Sequence, residues 1–272
     1  MTTLELVSLI EEKLASLFSE EDGLSDAARY ALLAPAKRLR PLLTLATALD
    51  FGVSSEKALV PACALELVHT YSLIHDDLPC MDDDDFRRGK PSLHKAYTEG
   101  HAVLTGDFFL TYAFQLLSES PHLSTEQRLA LIRTLSLRAG AHGMIGGQVA
   151  DIAERDNPVS WETLQYIHFN KTAALITAAL EFGGIIAEAS PQEMSLLQTI
   201  GNHLGLAFQA LDDIKDADEG FHNIISHLGL EKSHIYVDAL LASMTASLNQ
   251  LPRASRLLEL TEHLFSFAEK AH

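Results

Sequence analysis

Between Asp76 and Asp85 the chain carries six carboxylates, Asp76, Asp77, Asp82, Asp83, Asp84 and Asp85, and Arg87-Arg88 follow at once. The residues before them include Leu65, Leu67, Val68, Leu73 and Ile74, the pattern of a core helix. Yet His69, Ser72 and Asp76 recur at i, i+3 and i+7, which lays a polar stripe along that helix. Anions crowded this way repel one another, and burying them uncompensated is expensive. Hard divalent cations bound through carboxylate oxygen are the natural counter-charge. The arginines suit a ligand that is itself anionic and phosphate-like.

A second acidic group repeats the pattern. Gln209, Asp212, Asp213 and Asp216 share one helical face, set among Leu204, Leu206, Ala207, Phe208, Ala210, Leu211 and Ile214. Two polar stripes on otherwise apolar helices call for a wet or metal-filled interior. Metal between acidic side chains and a phosphorylated substrate is the chemistry they point to. For Asp83 to Asp85 taken alone, a solvated acidic loop is the plainer reading.

The formal charge of −17, from 37 acids against 20 bases, argues against nucleic acid or anionic lipid as a partner. Cys63 and Cys80 are too few for a disulfide scaffold and are not spaced for zinc. The N-terminus has early acids and no cationic region, so it does not read as a signal peptide. No uninterrupted apolar run reaches about 18 residues. A soluble, cytoplasmic protein without stable membrane insertion is expected.

Helical periodicity accounts for almost the whole chain. Leu4, Val7, Ile10, Leu14, Leu17 and Phe18 fall on one face, with Thr2 and Glu5 placed for a capping box. A loop around Glu20 to Gly23 follows. Residues 25–50 read as a helix pair joined at 34–41, and 58–78 as a long apolar helix. Pro79 breaks it, and a bulge there is expected to bring Asp82 beside Asp76. Residues 88–91 read as a loop. Further helices are expected over 94–118, 125–141, 160–187, 196–216, 234–251 and 253–271. No stretch shows strand alternation. One all-α domain spanning 1–272 is expected, because paired acidic motifs must serve a shared cavity.

The elements Asp76-Asp77-x4-Asp82 with Arg87-Arg88, and Asp212-Asp213-x-x-Asp216, resemble the two aspartate-rich motifs of the trans-isoprenyl diphosphate synthases. The likeness runs from about Leu33 to Tyr236 and is nearest to the short-chain bacterial branch. It implies a helical bundle around a large central cavity, a homodimer, and condensation of isopentenyl diphosphate with dimethylallyl and geranyl diphosphates to give farnesyl diphosphate. It implies two to three magnesium ions, with manganese as a substitute, held by Asp76, Asp82, Asp212 and Asp216. Asp77 and Asp213 complete the catalytic aspartates. Lys37, Arg40, His69 and Arg88 match positions that hold isopentenyl diphosphate. Arg87, Lys171, Thr172 and Gln209 match the allylic diphosphate site, and Lys232 stands for a further lysine there, since Phe221 to Ser226 replaces the usual Leu-Gly-Lys step.

Gln148 and Asp151 resemble the family's Gly-Gln-x-x-Asp element, with a plain helix–helix contact as the alternative. Only Lys270 remains of the basic tail. Tyr71, about 7.5 Å before Asp76 along a helix axis, with Ser72 beside it, matches the aromatic floor that limits product length. Phe108 and Phe109 are candidates to line the cavity. The alternatives are a geranylgeranyl diphosphate synthase, a class I terpene cyclase, a weakly active or non-catalytic regulatory subunit, and, from His75-Asp76, a metal phosphohydrolase.

Overall fold

The computed structural model describes residues 1–18, 22–155, 157–215 and 223–269. They form α1 (Thr3–Ser16), α2 (Gly23–Leu32), α3 (Leu39–Asp50), α4 (Ser55–Asp76), the strands β1 (Phe86–Arg87) and β2 (Lys90–Pro91), α5 (Leu93–Ala96), α6 (Glu99–Ser118), α7 (Thr125–Ala139), α8 (Met144–Glu154), α9 (Trp161–Ile167), a π-helix (His168–Ala173), α10 (Ala174–Ile186), α11 (Pro191–Lys215), α12 (Ile224–Leu228), α13 (Leu230–Leu248) and α14 (Ser255–Glu269). The fold is all-α, with one two-stranded hairpin among the described residues. Backbone contacts divide the chain into two compact units, residues 1–45 with 55–132, and 46–54 with 133–272.

In the first unit α4 is the core element. Residues from Ala58 to Ile74 are buried on nearly all sides, and its main neighbour is α6. Its apolar stretch is long enough to cross a membrane, but 72% of that window is buried inside the protein, as in a core helix. The capping box on α1 is present, Thr2 Oγ1 accepting from Glu5 N–H and Glu5 accepting from Thr2 N–H. The buried stripe of α1 is Leu6, Ile10 and Leu14, whereas Leu4 is exposed. The two sit on the 3.6-residue cycle so differently that only Leu6 lines up with Ile10 and Leu14 at i, i+4, i+8.

The expected helix over 94–118 breaks at Tyr97, and Thr98 caps the longer piece by accepting from His101 N–H. Phe109 is fully buried and packs with Phe18, Phe108 and Tyr112, a ring cluster that accounts for both phenylalanines.

In the second unit α10 is buried on almost every face and packs on α11, which packs on α13. Its one acid, Glu181, takes two 2.8 Å bonds from Arg138 and a 2.7 Å bond from Gln198, so its buried charge is compensated. Asp50 caps α14, accepting from the N–H groups of Arg256 and Leu257. Val159, Leu164, Ala210, Ile214, Ile224 and Val237 form a further cluster beneath Trp161 and Tyr236. Cys63 is buried and Cys80 exposed, and both are free thiols.

Candidate active site

The first acidic motif sits where α4 ends. Asp77 N–H still reaches Leu73 O at 3.1 Å, but Leu78 N–H turns to His75 O, and Pro79 cannot continue the ladder. The chain then folds back. Asp82 N–H donates to Asp76 O at 2.8 Å and Asp83 N–H to Leu78 O at 3.1 Å. The bulge therefore brings Asp82 beside Asp76, as the spacing required. Asp82 is exposed and Asp76 half-buried, so both present hard oxygen ligands at a wet corner, the donor set that magnesium takes.

Asp77 differs from both. It is 3% exposed and accepts from Nε of Arg87 at 2.8 Å and from Nη2 of the same residue. Burial pushes its carboxyl upward by more than Arg87 pulls it down. Arg87 also reaches Asp84 at 2.9 Å.

The hairpin behind these contacts pairs Phe86 with Pro91 and Arg87 with Lys90, leaving Arg88-Gly89 as its two-residue turn. Both turn residues have positive φ, 53° and 75°. That is the geometry of a tight hairpin whose twist matches its strands. Glycine tolerates it freely, whereas Arg88 bears strain of about 1–2 kcal/mol.

The cations on the approach to α3 divide by role. Arg38 is 1% exposed and wholly structural. It bonds Glu11 and Glu66 and the carbonyls of Leu32 and Ala34. Lys37 is exposed. Arg40 is pushed down to about 10 by burial, with Glu66 opposing the shift and Arg88 adding to it. Its buried Nε has no hydrogen-bond partner among the described residues. His69 is held well below its usual range by burial first and then by Arg40 and Arg88. Arg40, His69 and Arg88 thus form one electropositive group, with Glu66 the carboxylate that acts most on the two arginines. An unpaired guanidinium nitrogen and a neutral imidazole in that group are suited to an incoming anion. Arg88, with Tyr30, Thr70, Asp77, Arg87 and Lys90, also lines a recess in this unit.

Tyr71 is 5% exposed. Ser72 turns its hydroxyl to His69 O at 2.8 Å, so it is spent on its own helix.

In the second unit Thr172, Gln209 and Asp213 form one hydrogen-bonded chain, and Lys171 is paired separately. Lys171 and Thr172 lie in the π-helix, where the wider turn offsets the side chains from those of α10. Lys171 Nζ bonds Asp151 at 2.6 Å. Thr172 donates to Gln209 Oε1 at 2.7 Å, and Gln209 Nε2 donates to Asp213 at 2.9 Å. Asp213 also accepts from Ile224 N–H at 2.9 Å and lies 3.5 Å from His168. Buried and so engaged, it braces the helix. Asp212 is half-exposed, with Lys215 3.7 Å away. Gly147 allows α8 to meet the π-helix, since a Cβ there would lie 2.3 Å from the backbone nitrogen of Lys171. The Gln148 amide is buried with no partner for Nε2 among the described residues. Lys232 is exposed on α13. Asp216, the Phe221 end of the replaced segment, Lys270, and Glu20-Glu21 lie outside the described residues.

Residues 21–224 match the profile of the family described as Polyprenyl synthetase. The chain belongs to the polyprenyl synthetase family. It is 43% identical over 231 residues to the farnesyl diphosphate synthase of Bacillus subtilis (strain 168), covering 83% of this chain and 78% of that protein. Its backbone matches the apo FPP/GFPP synthase of Zymomonas mobilis with a TM-score of 0.92 at 38% identity, over 96% of both chains. It matches a Helicobacter pylori geranyltransferase, crystallised with magnesium and isoprenyl diphosphate, with a TM-score of 0.87 at 33% identity, over 98% of this chain and 96% of that one.

Within this polyprenyl synthetase, sequence reasoning passed over Glu66, the π-helix and His168. An acid inside an apolar run was the available signal for Glu66. Asp83, Asp85 and His94 form one more group whose ligand atoms lie within 4.8 Å of one another, although Lys95 already pairs with Asp85 at 2.8 Å.

Proposed function

We propose that this polyprenyl synthetase is a short-chain prenyltransferase. It joins isopentenyl diphosphate to dimethylallyl and then geranyl diphosphate, and ends at farnesyl diphosphate. The observation that carries this reading is the arrangement in the first unit. A carboxylate corner of half-buried Asp76 and exposed Asp82 ends the same helix run whose His69 belongs, with Arg40 and Arg88, to an electropositive group.

Asp76, Asp82, Asp212 and Asp216 would hold magnesium, which withdraws electron density from the allylic diphosphate and makes it a better leaving group. Lys37, Arg40 and Arg88 hold the diphosphate of isopentenyl diphosphate. His69, kept neutral, adds an N–H without adding charge. Arg87, Lys171, Thr172, Gln209 and Lys232 orient the allylic diphosphate, and Asp77 and Asp151 aim Arg87 and Lys171. Asp213 keeps Gln209 in place. The allylic C–O bond breaks with its electron pair on the departing diphosphate. The double bond of isopentenyl diphosphate forms the new C–C bond to the allylic carbon, and a proton leaves to the released diphosphate. No protein nucleophile takes part. Tyr71, with Ser72 beside it, limits product length.

Two to three magnesium ions with manganese as substitute, a single functional domain, a homodimer and a cytoplasmic location belong to the same proposal. The test is to incubate the purified protein with magnesium, isopentenyl diphosphate and each allylic diphosphate, and to separate the products by chain length. A fifteen-carbon diphosphate is expected. A twenty-carbon product would make it a geranylgeranyl diphosphate synthase. Turnover of an allylic diphosphate alone would make it a cyclase, phosphate released from simple phosphoesters a phosphohydrolase, and no turnover a regulatory subunit.

A further inference from the structure

Among the described residues, no hydrogen bond holds the ring of Tyr71. Its hydroxyl is buried and finds no partner among the described residues. Packing must therefore set where the ring lies. Its aromatic neighbour is His75, one turn onward along α4, edge-on with ring centroids 5.7 Å apart and planes at 73°.

His75 is in turn seated by α6. Its Nε2–H donates to Val103 O at 3.1 Å, and its ring lies against Gly106. A Cβ added at Gly106 would fall 2.1 Å from His75 Nε2, 2.5 Å from Cδ2 and 2.8 Å from Cε1. No imidazole in this seat tolerates a methyl group there. Gly106 is buried in the interior of α6, where glycine weakens a helix by about 1 kcal/mol relative to alanine. The approach of His75 is what accounts for a glycine at that position.

We propose that Gly106 and His75 are positioning residues that set product length by holding the Tyr71 ring. The proposal rests on the reading of Tyr71 as the floor of the chain-length site. With the imidazole displaced or removed, the Tyr71 ring loses its edge contact. Having no hydrogen bond to replace it, the ring swings aside and lets a longer chain past.

The test compares the ratio of twenty- to fifteen-carbon product, from isopentenyl and geranyl diphosphates with magnesium, in Tyr71→Ala, His75→Ala, Gly106→Ala and the double variant His75→Ala/Gly106→Ala. A rise of about three- to tenfold is expected in both single positioning variants, the range that one edge-on ring contact governs. The double variant is expected to match His75→Ala, because the added methyl then has nothing left to displace. Wild-type ratios in His75→Ala and Gly106→Ala, with longer products from Tyr71→Ala, would overturn the proposal and leave the reading of Tyr71 intact. Unchanged products from Tyr71→Ala would overturn both. Additive effects in the double variant would show that Gly106 does not act through His75. Should Gly106→Ala fail to fold, His75→Ala decides the matter alone.

Discussion

Arg38 and Glu66 form a 2.8 Å ion pair with both side chains almost wholly removed from water. Glu11 closes the other side of the guanidinium. Arg38→Met strands the buried carboxylate of Glu66 and is expected to cost about 3–5 kcal/mol, whereas Glu66→Gln leaves Arg38 its bonds to Glu11 and should cost less. Replacing both Arg38 and Glu66 by apolar residues of similar volume should cost less than the sum, since Glu11 sits where it can rehydrate. Urea unfolding midpoints at constant m check this. Additive losses would mean that the pair is not the coupled unit its geometry indicates.

Asp212 and Asp213 are adjacent in sequence and opposite in situation. Asp212→Asn is expected to lower kcat by about a hundredfold or more, the several kcal/mol a metal ligand supplies, with little change in stability. Asp213→Asn alters the acceptor for Ile224 N–H and Gln209, and should also lose about 1–3 kcal/mol of folding stability. Thermal melts alongside steady-state rates separate the two. Equal stability losses would contradict the roles assigned here.

Gly147→Ala places a methyl group 2.3 Å from a backbone nitrogen, which cannot rotate away as a side chain can. A loss of about 1–3 kcal/mol is expected, with a raised KM for the allylic diphosphate as the π-helix bearing Lys171 and Thr172 shifts. An unchanged KM in a stable variant would count against it.

His69 supplies a pH dependence whose sign is fixed. Its folded pKa lies below the unfolded value of 6.5, because burial and neighbouring arginines disfavour the charged form. The unfolded chain therefore binds the extra proton first as pH falls. Its contribution to stability is complete above about 6.5 and declines as pH drops from there toward the folded pKa, by at most about 1.4 kcal/mol per pH unit. The unfolding free energy of the wild type should fall more steeply between pH 7 and 5 than that of His69→Gln. Parallel curves would show that folding leaves the proton affinity of His69 unchanged.

The sequence revealed those parts of the site that rest on helical spacing. The polar stripe through His69, the bulge returning Asp82 to Asp76, and the Gln209 to Asp213 face all follow from periodicity and one proline. It did not reveal what depends on contacts distant in the chain. Nothing near Lys171 in sequence announces Asp151 as its partner twenty residues earlier. Nothing local tells Asp213 apart from Asp212, because the cap it offers Ile224 comes from another element. The hairpin at 86–91 escaped because two-residue strands carry no alternation, so 88–91 reads only as a loop although Lys90–Pro91 is its second strand.

That hairpin also constrains how the chain can vary. A turn of this type accepts two residues and no more, and pairing is set by the count between its strands. One inserted or deleted residue between Arg87 and Lys90 would exchange the directions in which the neighbouring guanidinium groups point, away from Asp77 and away from the cluster around Glu66. Natural or engineered diversity can therefore alter side chains here, but not loop length, without uncoupling the two neighbouring arginines at a stroke.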